Sequence, residues 1–481
     1  MTEGTDDRPQ LGPRRIIERP RLTRLLDDSP ARIKMLVAPA GYGKTTLARQ
    51  WLRNAPQPVA WFTAAPSCVD VAALALGLHR AASTAHPGIG TALLERLPVT
   101  ANPQVDVEIL ADMLVDDLGS WPDKRWIVID DYHEIAGAAA PERLIEALLL
   151  SRPMSLLVLT RERPTWASAR RILYGELFEV GREMLAMNDE EAGELLVSTD
   201  GATALLRAAG GWPAAIALAA ISSSSPQGLP IASDLYHFFA EELYQRVDSK
   251  TRRGLWKIAL VAPERSEVIA KMFGPDEARR TIDIGNQQGL LTCTSPTTIE
   301  IHPLLQLFLD EKLRQEPPEY SEPLVRDAVE YLVSCKRWDE AFDLISRFDL
   351  PQFIPGLVRA SLQELLALGR VETLRRWVSR SGVAASDSAL GLTAAELSFR
   401  EGHYFASEVL AKTAAESLQK EPEIEMRSLI AAGRAAHAAS RESEALAFYV
   451  RAKTVDALPE LTRAAAMGDL VASIELELPE A

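Results

Sequence analysis

Ile33-Lys34-Met35-Leu36-Val37-Ala38-Pro39-Ala40-Gly41-Tyr42-Gly43-Lys44-Thr45-Thr46 decides the fold. An apolar, strand-like run enters a Gly-rich turn and then a helical pattern. In such an arrangement the backbone N–H groups of Ala40, Gly41, Tyr42, Gly43, Lys44, Thr45 and Thr46 converge on one point, where an anionic phosphate is favoured. Lys44 would reach the β- and γ-phosphates, and the Thr45 hydroxyl would ligate Mg²⁺. The usual GxxxxGK[ST] pattern is met at Gly43, Lys44 and Thr45 but departs at its opening position, Ala38. Ala tolerates positive φ poorly, so the departure bears on the shape of the turn.

The second half of such a site lies downstream. Trp126-Ile127-Val128-Ile129 is a short apolar, β-branched run ending in Asp130-Asp131. It reads as a buried parallel strand delivering carboxylates at its C-terminal end. Asp130 is then the partner of Mg²⁺, directly or one shell removed, and Asp131 orients or deprotonates an attacking water. The plainer alternative is a pair of solvated Asp residues at a turn.

Short apolar runs alternate with helical stretches through the first part of the chain, the signature of a parallel α/β sheet. The expected strands are Ile33–Val37, Val59–Thr63, Arg125–Ile129, Ser155–Thr160 and Leu177–Val180, with a crossover helix over Leu144–Leu150. Ligands of such sheets sit beyond the carboxyl ends of the strands, where Lys44, Asp130 and the end of the fourth strand would meet. Arg161 follows that strand and is a candidate for holding the γ-phosphate bidentately. Its alternative is a surface Arg in a basic loop with Arg163, Arg170 and Arg171. From about Leu185 the alternation gives way to helices, punctuated by Gly210-Gly211-Trp212-Pro213 with Trp212 as a core aromatic. Ser222–Gly228 reads as a linker, followed by a helix over Leu235–Leu255.

With 481 residues the chain exceeds a single core, and several domains are expected. A net charge of −15, from 67 acidic and 52 basic residues, argues against a broad footprint on nucleic acid or an anionic membrane. The three cysteines, Cys68, Cys293 and Cys335, show no CxxC or metal-like spacing. They read as buried structural thiols in a reduced, cytoplasmic compartment. The polar first ten residues carry no apolar h-region, and no run approaches a membrane span.

The order of these motifs resembles the MalT-like branch of the STAND class of signal-transducing P-loop ATPases. The resemblance rests on APAGYGKTT at Ala38–Thr46, WFT at Trp61–Thr63, IVIDDYH at Ile127–His133 and LVLTRERP at Leu157–Pro164. It continues with GGWPAAIAL at Gly210–Leu218, YHFFAEELY at Tyr236–Tyr244 and IHPLLQLFL at Ile301–Leu309, and covers about Arg14 to Leu313. Thr160 stands where the family often has Ser. The resemblance implies a regulator that is closed with ADP and open with ATP, and that hydrolyses ATP slowly. It implies an N-terminal lead-in over 1–30, a P-loop NTPase core over 31–184, a helical lid over 185–228 and a winged-helix domain over 229–317. Arg19, in the lead-in, would help close over the base, and Pro213 in the lid would pack near the adenine, which would make the Gly211-Trp212-Pro213 turn a nucleotide contact. His302 would touch the β-phosphate of ADP in the closed form, whereas a lone His before Pro otherwise reads as a capped turn residue.

Residues 318–481 read as helical, rich in Ala, Leu and Glu, and weakly repetitive. Turn-then-helix starts at Lys336, Gly402 and Ser440 suggest tetratricopeptide-like pairs stacked into a solenoid, though an irregular helical domain is equally compatible. A small-molecule inducer or a partner protein would bind there. Nucleotide-dependent self-association is also implied. Family members commonly finish with a helix-turn-helix. Here the chain stops after an acidic segment with no basic recognition helix, so DNA is expected as a partner only if a binding module is supplied elsewhere. Three functions follow: an ATP-hydrolysing switch, a transcriptional activator whose DNA-binding domain is lost or supplied by a partner, and a nucleotide-binding scaffold without turnover.

Overall fold

The computed structural model describes residues 17–122, 125–151, 154–195, 209–221, 240–241, 244–245, 247–287, 290–293, 298–301, 303–382, 387–417 and 421–477. Packing divides the chain into two compact units. One is drawn from 1–64, 123–136 and 154–328, the other from 65–122, 137–153 and 329–481.

The first unit is built on a five-stranded parallel sheet of β1 (Ile33–Val37), β2 (Ala60–Thr63), β3 (Trp126–Asp130), β4 (Ser155–Thr160) and β5 (Leu177–Gly181), in the order β2-β3-β4-β1-β5. The central strands are buried almost throughout, as apolar runs of a parallel sheet must be. Their register levels the carboxyl ends: Val37 lies opposite both Thr160 and Gly181, and Thr63 opposite Asp130. β3 thus ends one residue later than the sequence suggests. Its last carbonyl accepts from Ala64 N at 2.9 Å, so Asp130 belongs to the sheet rather than to the turn. Helices Pro20–Asp28 and Lys44–Leu52 contribute Leu22, Leu26 and Leu47 to a core shared with Leu36, Val128, Leu157, Leu159 and Val180.

Further along the same unit, β6 (Glu264–Arg265), β7 (Thr292–Cys293) and β8 (Thr298–Glu300) form an antiparallel sheet in the order β6-β8-β7. The helix expected over Leu235–Leu255 is not continuous in its described part. Asp248 Oδ1 accepts from Lys250 N and Thr251 N, both at 3.0 Å, and so caps a new helix, Ser249–Val261. The Ser222–Gly228 linker lies outside the described residues.

The second unit joins the helices of 65–122 and 137–153 to a helical solenoid, so the packing units do not follow the linear boundaries at 184 and 317. Helix Ala139–Ser151 starts before the expected Leu144 because Glu142 Oε1 accepts from Gly137 N at 3.0 Å and fixes its entry turn. Solenoid helices turn over at Lys336, Gly369, Gly402 and Ser440, whose φ values of 57°, 68°, 78° and 57° are all left-handed. At each, the same two bonds close the preceding helix; at Lys336 these are Lys336 N to Val333 O (3.0 Å) and Arg337 N to Leu332 O (2.9 Å). This is the Schellman arrangement. Gly369 is the repeat the sequence reading passed over.

Two arginines just past these turns reach back to acids of the preceding helix pair. Arg370 grips Asp339 with both terminal nitrogens at 2.8 and 2.7 Å, and Arg441 bonds Glu408. Asp70 caps helix Val71–Ala85 through Ala72 N, while its other oxygen accepts from Thr373 N and Oγ1, both at 2.9 Å. Of the expected buried thiols, Cys68 is buried but Cys335 is exposed, because it lies in the loop end just before the left-handed Lys336. The side chain of Cys293 lies outside the described residues.

Gly369 and Gly402 occupy equivalent turns but differ in space. A Cβ at Gly369 would meet the Leu97 carbonyl at 2.7 Å, whereas one at Gly402 would meet nothing within 4 Å. Gly402→Ala should therefore cost about 1–2 kcal/mol, the left-handed strain alone, and Gly369→Ala about 1–3 kcal/mol more. Urea unfolding of the two variants measures the difference, and equal costs would refute the crowding at Leu97.

Candidate nucleotide-binding site

The loop after β1 satisfies its geometry without glycine at its first position. Ala38 is buried and its N–H still pairs with Thr160 O at 3.2 Å, so the chain is sheet-like there. Left-handed backbone falls on Gly41 (φ 80°) and Gly43 (φ 74°) instead. Gly43 is the N-cap of helix Lys44–Leu52 and no side chain caps that helix, which leaves its first-turn N–H groups directed at the loop's centre.

Lys44 is buried, and its Nζ donates to Ala38 O (2.7 Å) and Pro39 O (3.1 Å). Burial pulls its pKa down to about 8, opposed by Asp131 and Asp130 and reinforced by the charge of Arg161. The sheet therefore brings Lys44, Asp130, Asp131 and Arg161 within electrostatic reach of one another. Thr45 Oγ1 donates to Asp130 Oδ2 at 3.0 Å and lies 3.2 Å from Oδ1, and Oδ1 also accepts from Asp131 N at 3.0 Å. Burial, with the neighbouring charge of Asp131, pushes the Asp130 carboxyl up to about 6. A hydroxyl and a carboxylate side by side suit Mg²⁺, which takes few protein oxygens and completes its shell with phosphate and water. Among the described residues no group of three or more His, Cys, Asp and Glu side chains gathers as a metal cage.

Asp131 follows the strand in a left-handed conformation (φ 51°), and its side chain is half exposed. His133 follows it, with Nδ1 3.7 Å from Asp131 Oδ1 and Nε2 3.2 Å from Glu134 Oε1. Neither His133 nor Glu134 was singled out from sequence. Their only signal was membership of the Ile127–His133 run and its next residue. Tyr132 is buried beneath them and its OH accepts from Trp166 Nε1 at 2.7 Å, which fixes the turn.

A second element reaches the loop from the other side. Trp212 Nε1 donates to Ala40 O (3.0 Å) and Ala214 N to Gly41 O (3.1 Å), which brackets Pro213, the first residue of helix Pro213–Ile221, against the loop. Tyr42 is anchored by Arg182, whose Nε donates to its OH at 2.8 Å. Thr46 is exposed. Arg19 turns its terminal nitrogens to Leu185 O, Ala186 O and Glu191 Oε2, at 2.9, 3.0 and 2.8 Å, and Arg21 shares the same acceptors at Ala186 and Glu191. His302 lies outside the described residues.

Asp130→Asn would keep an acceptor for Thr45 and for the Asp131 amide while removing a buried charge. A carboxyl raised to about 6 contributes stability that is full below the ordinary carboxylate range and is lost as pH rises through that value. Without nucleotide or Mg²⁺, the variant should gain about 1–3 kcal/mol at pH 7.5 and almost nothing at pH 4. Unfolding measured at both pH values tests this, since a gain independent of pH would exclude ionisation as its source.

No family model matches the chain. Its sequence is 26% identical over 321 residues to the HTH-type transcriptional regulator MalT of Yersinia pestis, covering 61% of this chain and 35% of that protein. MalT of Klebsiella pneumoniae is 26% identical over 328 residues, with the same coverage. The chain thus spans about a third of the length of these relatives. Among solved structures it superposes on a STAND protein with a tetratricopeptide repeat sensor from Pyrococcus horikoshii at a TM-score of 0.67 and 17% identity, covering 96% of this chain and 72% of that one. In sequence the chain is similar to MalT over about three fifths of its length, and in fold it resembles a STAND protein, with a parallel α/β sheet and a helical solenoid.

Proposed function

We propose that the chain is a regulatory switch driven by adenine nucleotide, ADP-closed and ATP-open, which hydrolyses ATP slowly. The observation that carries this reading is the Lys44–Thr45–Asp130 constellation at the level ends of β1 and β3, with Asp131 and Arg161 beside it. Lys44, now held by loop carbonyls, would transfer its hydrogen bonds to the β- and γ-phosphates. Thr45 and Asp130 would hold Mg²⁺, which supplies charge neutralisation on the phosphates when bound. Asp131, half exposed beside Asp130, would position water, with the His133 ring near its carboxylate. Arg161 would read the γ-phosphate.

Arg19 and Pro213 would close the site around the base, and His302 would hold the β-phosphate of ADP. The helices and three-stranded antiparallel sheet of 249–315 support a winged-helix reading of 229–317. The solenoid is the natural place for an inducer, a small molecule or a protein, and self-association would accompany the ATP state. No helix among the described residues is long and apolar enough to cross a membrane, which is compatible with a cytoplasmic switch. The likeness to transcriptional regulators supports a second reading, an activator in which DNA is engaged by a module outside these residues.

The test is to purify the chain, denature it and identify the released nucleotide, then follow turnover of added Mg-ATP. Wild type should carry about one ADP per chain and Lys44→Ala none. Asp131→Asn should bind ATP but hydrolyse it about 10²-fold or more slowly. Unchanged turnover in Asp131→Asn would remove its assigned role, and a wild type that binds neither ADP nor Mg-ATP would refute the switch.

A further inference from the structure

We infer that Trp212 is a positioning residue for the phosphate-binding loop: its indole N–H and the neighbouring Ala214 N–H pull two loop carbonyls outward, and so hold the loop amides toward the phosphate. This rests on the nucleotide reading above and adds to it a part that no motif of the loop supplies.

A peptide plane has two ends. When a carbonyl is fixed, the N–H of the next residue is fixed on the opposite side. Trp212 Nε1 holds Ala40 O at 3.0 Å, which orients the amide of Gly41. Ala214 N holds Gly41 O at 3.1 Å, which orients the amide of Tyr42. These planes flank Gly41, whose φ of 80° lies in the left-handed region. Gly41 gives the contact its closeness as well. A Cβ there would lie 2.7 Å from both Trp212 Nε1 and Ala214 Cβ and 3.0 Å from Leu304 Cδ1. The absence of a side chain at Gly41 is therefore what lets the indole reach the backbone.

The support behind Trp212 is itself fixed. Trp212 N donates to Ala209 O at 3.0 Å, and Met187 N donates to Gly211 O at 2.8 Å. A Cβ at Gly211 would lie 2.8 Å from Met187 O, so that junction is also closed. Met187 belongs to the stretch whose carbonyls at 185 and 186 are gripped by Arg19. The indole is thus mounted on a braced turn and is able to constrain the loop rather than follow it.

The experiment uses the full chain and Trp212→Phe, which keeps an aromatic ring and removes the donor; Trp212→Leu serves if the Phe variant does not fold. Two quantities are read: ADP affinity, by displacement of a fluorescent ADP analogue, and amide hydrogen exchange of the peptide spanning residues 38–46 in nucleotide-free protein. The expected result is an ADP affinity lowered about 3–10-fold, the scale of one lost hydrogen bond, with faster exchange in 38–46 and unchanged exchange in the β4 strand. Wild-type affinity in the variant overturns the inference. So does weaker ADP binding with unaltered exchange in 38–46, which would assign Trp212 to the base instead. A wild-type chain that binds no ADP would refute the nucleotide reading, and is told apart from these outcomes by the wild-type titration alone.

Discussion

The strand order β2-β3-β4-β1-β5 is the constraint on which the candidate site depends, and the hydrogen bond from Thr45 to Asp130 is its result. The bond joins the helix after β1 to the end of β3 across a separation of 85 residues. It forms with β4 lying between the two strands in register, which brings the ends of the three strands within one residue of one level. The pair is costly, because it keeps a carboxylate where burial favours the neutral acid. A fold that sought stability alone would place an apolar residue there. The strain is local, and the buried sheet and the core around Leu36, Val128 and Leu157 outweigh it.

What the sequence made legible was what chemistry restricts to a few residue types. A phosphate loop requires glycine, lysine and a hydroxyl in fixed order, and a buried parallel strand requires a run such as Trp126–Ile129; both are found where expected. The position of Ala38 was ambiguous in sequence because its φ was unknown, and the pairing of its N–H with Thr160 O resolves it. His133 and Glu134 were overlooked because a His beside an acid is common in turns and acquires meaning only through distance. Trp212 reads as a core aromatic or, by the resemblance, as part of a turn against the nucleotide, whereas its ring nitrogen bonds a carbonyl of the loop.

The solenoid shows a different limit. Its turns share a backbone conformation and a pair of bonds, but the residue at the left-handed position is Lys, Gly, Gly or Ser. A search for similar letters finds the intervals ending at Gly402 and Ser440 and misses Gly369, although 336, 369 and 402 are evenly spaced. The repeat is conserved in geometry at a strain of about 1–2 kcal/mol where a side chain occupies the turn. Packing between distant segments was the least legible of all. Nothing near Asp70 announces that its carboxylate meets Thr373, 303 residues later.

That contact bears on how such a chain can be taken apart or recombined. Because the second unit is assembled from three stretches of sequence, a fragment starting at residue 329 would lack the acceptor for Thr373 and the Leu97 backbone that fills the space at Gly369. A fragment ending at residue 328 would leave the Asp70 carboxylate without its two hydrogen bonds from Thr373. The solenoid is therefore not a cassette. Exchanging it between related chains, in evolution or by engineering, requires that the helices between β2 and β3 travel with it.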